Sequence, residues 1–477
     1  MPRGGGDAAE LTSAVAPRPL GVVGSHMNSS VELPPGPRTA PILQLLRYSL
    51  RPFAFIDDCA RRFGTPCTIR LAGFPPIVLL SDPQSVREAL QGDPAALHSG
   101  EANAFLIPLV GKNSVLVLDE AAHAKQRATL APPLRGERMR GASDAMCAAA
   151  EAEIATWPVG RPFRIDAAMR RITLRVILKV AFGAMPEAET REWETLFESI
   201  MRYARTRWAL LMVRAVPHRL FVGSRWAPYY RELGVLERRL VTFVAKRRAA
   251  AADIRGDAVL DELLAARHAD GAPLGDAEIR DALVTIVVAG YETTSAALTW
   301  AWTDLARRPD VADRAAAEAR AAFADDATAE EALDRLPYTD AVVRESLRLR
   351  HVLPIVVRRT TRPLRLGGRD YPADISLAPC PRVVHRDPRL YPDPDRFDPE
   401  RFLARKFAPH EWFPFGGGHR HCLGAAFALQ EMKAVLAVAL RRFRFVADPA
   451  RFPAPRREGL ILVPDDGGLL TATSPRS

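Results

Sequence analysis

The sequence contains few cysteines, five in 477 residues. They are spread along the chain, at Cys59, Cys67, Cys147, Cys380 and Cys422. An odd number of scattered cysteines in a long chain does not suggest a disulfide framework, which is typical of small secreted proteins. The sequence therefore favours a protein that works in a reducing cytoplasm.

The first 30 residues lack the patterns that would give them a structure or a targeting role. They are rich in glycine, alanine, proline and valine, with neither a helical nor an alternating period. No apolar run among residues 1–26 is long enough to cross a membrane, and the apolar centre of a signal peptide is missing. We predict that residues 1–30 form a disordered extension without a transmembrane anchor. Met27 is a candidate start of the native protein.

A long run of basic residues is also absent, although the net charge is +10. Positive charge can serve binding to nucleic acid, to a membrane surface or to an acidic protein. Because the sequence has neither a basic run nor the spacing of a zinc finger, we expect no nucleic-acid partner. An acidic protein partner fits the charge better.

A glycine-rich stretch near the C-terminus carries the most specific pattern. The spacing Phe-x-x-Gly-x-Arg-x-Cys-x-Gly is matched by Phe415, Gly418, Arg420, Cys422 and Gly424. A thiolate at the start of the apolar helical pattern that follows would be stabilised by the helix dipole. Glycines let a backbone approach a flat, bulky group, so the stretch suits a cysteine that ligates a haem iron. A structural cysteine beside a glycine turn is the alternative, but this spacing arises by chance roughly once in several million positions.

This spacing resembles the haem-binding motif of the cytochrome P450 family, the haem-thiolate monooxygenases. The resemblance implies a fold that is mainly α with a small β-rich part, formed as a single domain by residues 31–477. Haem b would lie between a long central helix and the helix that follows the cysteine loop. Cys422 would be the axial iron ligand, and Phe415, Arg420 and Gly424 would contact the cofactor.

A long helical pattern covers residues 275–308 and ends before a proline. Its apolar residues recur at spacings of three and four and define one face, and such a helix would be about 50 Å long. This face is interrupted at Gly290, Glu292 and Thr293, which match the family's oxygen-binding motif. By resemblance, Gly290 leaves room for dioxygen, Thr293 donates a hydrogen bond to it and Glu292 relays protons. The alternative is a helix contact at Gly290, with Thr293 bonded back to its own helix.

Four basic residues are candidate partners of the two haem propionates. His123 and Arg127 are four residues apart and share a helix face. A solvated face is the alternative for this pair, but the family has a similar pair that binds propionates, and arginine suits carboxylates. Arg358 corresponds to a further anchor, with Arg359 as its rival because neighbours on a strand face opposite sides. Arg420 of the cysteine motif is the fourth candidate.

Three charged residues are predicted to form a structural network. Glu345 and Arg348 are three residues apart in a helical pattern over residues 338–349, and on a solvated helix such a pair would contribute little. The segment around Arg401 resembles the family's partner segment. The resemblance therefore implies a buried network of Glu345, Arg348 and Arg401.

Substrate contacts are predicted only by analogy. A loop over the distal side of the haem and a later helical region supply apolar candidates, which are equally suited to core packing: Phe105, Leu106, Ile107, Val110, Trp208, Leu210, Leu211 and Val213.

The resemblance implies a monooxygenase that inserts one atom of O2 into a C–H or C=C bond of a small apolar substrate, such as a fatty acid, a terpenoid or a polyketide-like compound. Electrons would come from a ferredoxin or flavodoxin with its reductase. A peroxide-dependent hydroxylase and a non-catalytic haem-binding protein are the alternatives. The acid–alcohol pair Glu292 and Thr293 favours O2 over peroxide.

Overall fold

The protein is described by a computed structural model that covers residues 31–134, 136–206, 227–249, 258–268, 270–324 and 327–474. Residues 1–30, for which the sequence predicts a disordered extension, lie outside the described residues. The candidate substrate contacts Trp208, Leu210, Leu211 and Val213 also lie outside them.

Helices dominate the described residues, which confirms the predicted mainly α fold. In chain order they are α1 (Pro41–Leu50), α2 (Pro52–Phe63), α3 (Pro83–Gln91), α4 (Ile107–Val110), α5 (Glu120–Leu130), α6 (Gly136–Ile154), α7 (Ile165–Phe182), α8 (Glu187–Ala204), α9 (Ala227–Ala249), α10 (Val259–Ala265), α11 (Asp276–Leu305), α12 (Pro309–Ala322), α13 (Ala329–Asp334), α14 (Pro337–Leu349), α15 (Pro381–Val384), α16 (Glu400–Ala404) and α17 (Ala425–Arg442). Single turns of 3-10 helix cover Pro132–Leu134 and Gly418–Arg420, and a longer one covers Glu101–Leu106.

The strands are short. They are β1 (Cys67–Ile69), β2 (Ile77–Leu80), β3 (Leu97–His98), β4 (Pro162–Arg164), β5 (Arg358–Thr360), β6 (Leu364–Leu366), β7 (Arg369–Tyr371), β8 (Ser376–Pro379), β9 (Arg444–Val446), β10 (Pro455–Glu458), β11 (Ile461–Pro464) and β12 (Leu469–Thr473). The largest sheet has the order β1-β2-β8-β5-β3, in which β2 and β8 are parallel and the other neighbours antiparallel. This sheet fixes β5 between β8 and β3, and with it the side chain of Arg358.

The long predicted helix is α11, and it ends at Leu305, three residues earlier than the sequence pattern suggested. The Glu278 carboxylate accepts a hydrogen bond from the Gly275 N–H at 2.9 Å, which satisfies a free donor at the helix start. Within the described part of the chain, α11 is the one helix long and apolar enough to cross a membrane, yet 78% of its apolar window is buried inside the protein. It packs most extensively against α7. These are the surroundings of a central core helix.

The helix that follows the cysteine loop is α17. It packs against α6, α11, α12 and α14, and its interior residues from Met432 to Leu440 are almost all buried. Because α17 is anchored in the largest apolar cluster together with α11, the loop before it is joined to a rigid element. The two helices that the resemblance places on either side of the haem therefore belong to one core.

Candidate active site

The cysteine loop, residues 413–424, folds back on α3. Gly418 has φ +63°, and a Cβ atom there would lie 1.8 Å from the carbonyl oxygen of Leu90. Only glycine fits a position that is both left-handed and this close to another backbone. The Cys422 N–H donates to the Phe415 carbonyl at 3.0 Å and closes the loop. The Gly418 requirement therefore comes from packing on α3, a reason different from the approach to a flat group that the sequence suggested.

The Cys422 side chain is solvent-accessible, whereas Cys59, Cys67, Cys147 and Cys380 are buried. Burial by surrounding protein nevertheless raises the pKa of the Cys422 thiol, while the backbone N–H of Gly424 and the charge of Arg127 oppose that rise. Gly424 is also the residue that precedes α17, so the sulfur lies at the start of that helix.

Arg358 is buried, with 2% of its surface exposed, and has no carboxylate partner among the described residues. Its Nη1 donates to the Ser99 Oγ at 2.9 Å and its Nη2 to the Gly417 carbonyl at 3.2 Å, while its Nε has no partner. Burial and the nearby charge of Arg420 lower the pKa of Arg358 to about 10. A buried cation without a counter-charge is costly, so this position suits an anionic group of a ligand.

The rival residue Arg359 faces the other way. Its guanidinium lies 2.9 Å from Asp374 and 3.4 Å from Glu101, and it is partly exposed. Strand geometry turns neighbouring side chains to opposite faces, and the structure turns Arg358 inward.

Most of the N–H donors of Arg420 form hydrogen bonds with other groups of the protein. Its Nη1 donates to the Val115 carbonyl at 3.1 Å, and its Nη2 donates to the Leu118 carbonyl and pairs with Asp119. The Asp119 carboxylate also accepts hydrogen bonds from the backbone N–H groups of Ser99, Gly100 and Glu101 at 2.8–2.9 Å. Arg420 therefore joins the cysteine loop to the segment before α5, and only its Nε is left without a partner.

His123 and Arg127 lie on one face of α5, as the spacing predicted, and His123 is buried while Arg127 is half-buried. The His123 ring contacts the His419 ring edge-on at 6.1 Å. Burial, followed by the charges of neighbouring arginines, lowers the pKa of both histidines to about 4. Arg127 and Arg420 act on both rings, and Arg358 acts on that of His419, so cationic groups converge at the cysteine loop.

A short stretch in the centre of α11 is partly exposed. Between Asp281 and Leu305 every residue is buried except Val288, Ala289, Gly290 and Thr293. The Thr293 hydroxyl donates to the Ala289 carbonyl at 2.7 Å. A Cβ atom at Gly290 would lie 2.9 Å from the side chain of Ile177 on α7, so the close packing of these helices favours glycine here. The structure therefore shows both packing contacts that the sequence analysis named as alternatives, at Gly290 and at Thr293. Both residues are also partly accessible.

Glu292 points to a different set of charged groups. It is buried and accepts hydrogen bonds from Arg205, at 3.0 Å for Nε. Arg205 also donates to Glu198 at 2.9 and 3.1 Å and to the Tyr291 hydroxyl at 3.3 Å. Although burial opposes its charge, Glu198 and Glu292 raise the pKa of Arg205. No sequence pattern indicates Arg205 as a partner, because it lies 87 residues from Glu292 along the chain.

The structure brings Glu345, Arg348 and Arg401 together. Arg348 and Glu345 are fully buried with Nε and Oε2 2.7 Å apart, and burial raises the pKa of Glu345 despite this partner. Arg348 also donates to three backbone carbonyls, of His385, Pro394 and Arg396, at 2.7–3.1 Å. Arg401 is 3.6 Å from Glu345, beyond hydrogen-bond range.

A buried histidine pair, which no sequence pattern indicates, connects this network to the cysteine loop. His385 Nε2 accepts a hydrogen bond from the Phe413 N–H at 3.1 Å, and its Nδ1 lies 3.0 Å from His351 Nε2. Since an N–H can only donate, Nε2 of His385 carries no proton, and Nδ1 donates to His351. Burial lowers the pKa of His385 to about 3. The pair is neutral and ties the first residue of the loop to the segment that Arg348 binds.

An accessible thiol at a helix start, beside a buried arginine without a counter-charge, fits haem, which offers an iron and two carboxylates. The fold and this site define the class of haem-thiolate proteins. A model of the family described as Cytochrome P450 matches residues 33–472. The chain belongs to the cytochrome P450 family, and it is accordingly a haem b-binding monooxygenase.

Relatives and a solved structure agree with this assignment. Cytochrome P450 135B1 of Mycobacterium tuberculosis is 34% identical over 94% of this chain and 93% of its own length. Cytochrome P450 135A1 of the same organism is 31% identical over 92% of this chain and 94% of its own length. The structure of a retinoic acid-bound cyanobacterial protein, CYP120A1, has a TM-score of 0.81 and 24% identity, and covers 94% of this chain and 100% of its own. That likeness supports the fold.

Proposed function

We propose that the protein inserts one atom of O2 into a C–H or C=C bond of a small apolar substrate, of fatty-acid, terpenoid or polyketide-like character. The observation that carries this proposal is the accessible stretch in the middle of α11, at Ala289, Gly290 and Thr293, beside the buried Glu292. Haem, when bound, supplies the iron at which O2 is activated. The acid–alcohol pair, Glu292 and Thr293, supplies what oxygen activation needs from the protein. Thr293 is the hydrogen-bond donor and Glu292 the proton source.

The haem would be held by residues that the structure leaves suited to it. Cys422 offers the thiolate, Arg358 offers buried donors without a carboxylate, and His123 and Arg127 lie beside them. Arg420 contributes its Nε and fixes the loop through Asp119. These contacts would bind the cofactor and hold it in place.

Proton delivery is proposed to pass through Glu292. This carboxylate is the inner end of a chain of charged groups, Glu292, Arg205 and Glu198, and the Glu198 side chain is 37% exposed. When the Glu292 carboxylate releases Arg205, it can take up a proton on the side of Glu198 and carry it to the interior. Thr293 must release its bond to Ala289 to donate elsewhere, a rotation of one side-chain dihedral.

The electron donor is proposed to be a ferredoxin or flavodoxin with its reductase, in the cytoplasm. The net charge of +10 favours an acidic partner. All five cysteines are free thiols, as expected in a reducing compartment.

The test begins with a screen of fatty acids, terpenoids and polyketide-like compounds for a substrate-induced spin-state shift in the haem spectrum. Compounds that shift the spectrum are then incubated with isotope-labelled O2, ferredoxin and reductase. We expect a product that carries one labelled oxygen atom. Equal turnover with peroxide alone would favour a peroxide-dependent hydroxylase. Failure to reduce O2 with any donor, with ligand-dependent association, would favour a non-catalytic haem protein.

A further inference from the structure

Helix α1 leaves a row of apolar residues exposed. Its buried face consists of Gln44, Leu45, Tyr48 and Ser49, while four large aliphatic residues are strongly exposed: Ile42 58%, Leu43 51%, Leu46 40% and Leu50 48%. On an amphipathic helix of a soluble core, the face turned to solvent is normally polar or charged. The exposed set, Ile42, Leu43, Leu46 and Leu50, is called the α1 stripe below.

Buried contacts fix this orientation. The Gln44 Nε2 donates to the carbonyls of Pro37 and Thr39 at 3.1 and 2.8 Å, and its Oε1 accepts from the Arg70 N–H at 2.9 Å. Tyr48 packs edge-on against Phe55 at 6.3 Å. Rotating α1 to bury the stripe would break all of these interactions. The apolar surface is therefore a fixed property of the folded protein.

The α1 stripe is continuous. At 3.6 residues per turn its four side chains fall within an arc of about 100° on the helix. Single exposed aliphatic residues are common on protein surfaces, but a contiguous row of them marks an interaction site. The row is one helix wide, which suits insertion at a shallow depth better than a broad protein interface.

Positive charge borders the α1 stripe. Arg47 on α1 and Arg61 and Arg62 on α2 all share one carboxylate, that of Asp58, at 3.4–3.6 Å. Three guanidinium groups on one carboxylate leave this border positive, and their exposed pairing is weak. Arg51, which is also exposed, directly follows the last residue of the stripe.

We propose that α1 docks on an anionic lipid surface as a peripheral anchor. The aliphatic side chains of the stripe enter the boundary between headgroups and acyl chains, while the arginines stay at the level of the phosphates. Both features are required, because one apolar row and one basic border each bind a membrane weakly. A second copy of the chain is a poorer occupant, since a symmetric contact would bring two basic borders together.

The test uses full-length, haem-loaded protein in vesicle flotation. Vesicles are made of phosphatidylcholine alone or of phosphatidylcholine mixed with phosphatidylglycerol. We expect the protein to float with the mixed vesicles, and binding to fall as salt is raised because exposed charges are screened. Little binding to phosphatidylcholine alone is expected.

Three double variants separate the stripe and its basic border from general surface effects. Leu43→Glu with Leu46→Glu is expected to lower the partition onto mixed vesicles by about tenfold or more. Val446→Glu with Leu469→Glu changes two equally exposed aliphatic residues of the β9–β12 sheet and is expected to leave it unchanged. Arg61→Gln with Arg62→Gln should lower it by about fivefold for each charge. An unchanged haem content in every variant shows that the fold is intact.

The proposal is overturned if wild-type protein does not float, or if it binds both vesicle types equally. It is also overturned if the stripe variant and the sheet variant lose binding to the same extent. A wild-type dimer that the stripe variant converts to a monomer, without vesicle binding, would assign the stripe to a second copy. These outcomes do not depend on the substrate or the electron donor.

Discussion

At the scale of single residues, the five cysteines have two chemical characters. Burial raises the pKa of Cys67, Cys147 and Cys380 to about 12 and that of Cys59 to about 11. These thiols are inaccessible, whereas Cys422 is exposed although burial raises the pKa of its thiol too. Cys422 alone combines an accessible sulfur with a helix start, and so it can react and ligate while the others cannot.

Removal of haem should therefore expose one thiol to reagents. We expect iodoacetamide to modify Cys422 in the folded apoprotein, while Cys59, Cys67, Cys147 and Cys380 stay unmodified. Bound haem should protect Cys422. Mass spectrometry of peptides identifies the labelled residue, and labelling in denaturant, where all five react, is the control. Protection that persists after haem removal would contradict an accessible Cys422.

Arg358 and Arg359 form a matched pair for testing the anchor. We expect Arg358→Met to weaken haem retention by about tenfold, because charge-assisted hydrogen bonds to a carboxylate are lost. The apoprotein should lose little stability, since the variant removes a buried charge that has no protein counter-charge. Arg359→Met should leave haem retention unchanged. Haem transfer to apomyoglobin and thermal unfolding of the apoprotein measure the two effects, and equal retention in both variants would exclude Arg358 as an anchor.

Thr293 and Thr299 make the same 2.7 Å bond to their own helix, but only Thr293 is accessible. We expect Thr293→Ala to uncouple the enzyme, so that reductant is consumed while peroxide replaces much of the product. Thr299→Ala should stay coupled. The ratio of product to reductant consumed, measured together with peroxide, tests this. Unchanged coupling in Thr293→Ala would leave the hydroxyl with a packing role only.

At the scale of elements, helix α14 carries two ion pairs that contribute very differently to the stability of the fold. The Glu345–Arg348 pair is fully buried, whereas Asp340 and Arg344 are partly exposed. Glu345→Ala should cost about 3–5 kcal/mol, because it leaves a buried arginine unpaired, and the protein should contain little haem. Asp340→Ala should cost less than about 1 kcal/mol and keep its haem. Denaturant unfolding and the haem-to-protein ratio measure both, and a normal haem content in Glu345→Ala would refute a structural role.

Elements with a strong local signal could be predicted from the sequence. The long helix α11 follows from its periodicity, and the cysteine loop and the Glu345–Arg348 pair follow from short spacings. Partners brought together by the fold could not be predicted in this way. Asp119 precedes a helix and looks like an ordinary cap, yet its carboxylate binds Arg420, which lies 301 residues away.

The direction in which side chains point could not be predicted from the sequence either. Both Arg358 and Arg359 fit the motif, and only the pairing of β5 with β8 and β3 decides which one turns inward. Gly290 and Thr293 were placed correctly on α11, but the contact of Gly290 with Ile177 depends on how closely α7 approaches. The local sequence does not determine the distance between α7 and α11.

At the scale of the whole molecule, buried neutral histidines make stability depend on pH. His385 has a pKa of about 3 in the folded protein against 6.5 when exposed, and that of His351 is also lowered by burial. Below pH 6.5 the unfolded chain binds protons that the folded chain does not, so stability falls as pH falls from 6.5 toward 4. Each histidine contributes up to about 1.4 kcal/mol per pH unit.

The double variant His351→Gln with His385→Gln should therefore be less sensitive to acid. We expect its unfolding free energy to be lower than that of wild type at pH 7 but to decline less between pH 6 and pH 4. Denaturant unfolding at several pH values gives both slopes. Parallel slopes would show that the pair does not remain neutral in the folded protein.

The contacts that assemble the site also bear on how the chain reaches its native state. Asp119 and Arg420 are 301 residues apart, and Ser99 and Arg358 are 259 apart. Such distant contacts form late, because long loops must close before they become favourable. The haem site can be complete only after the segment with Cys422 and α17 has been synthesised. We therefore expect haem capture to follow most of the folding of the chain.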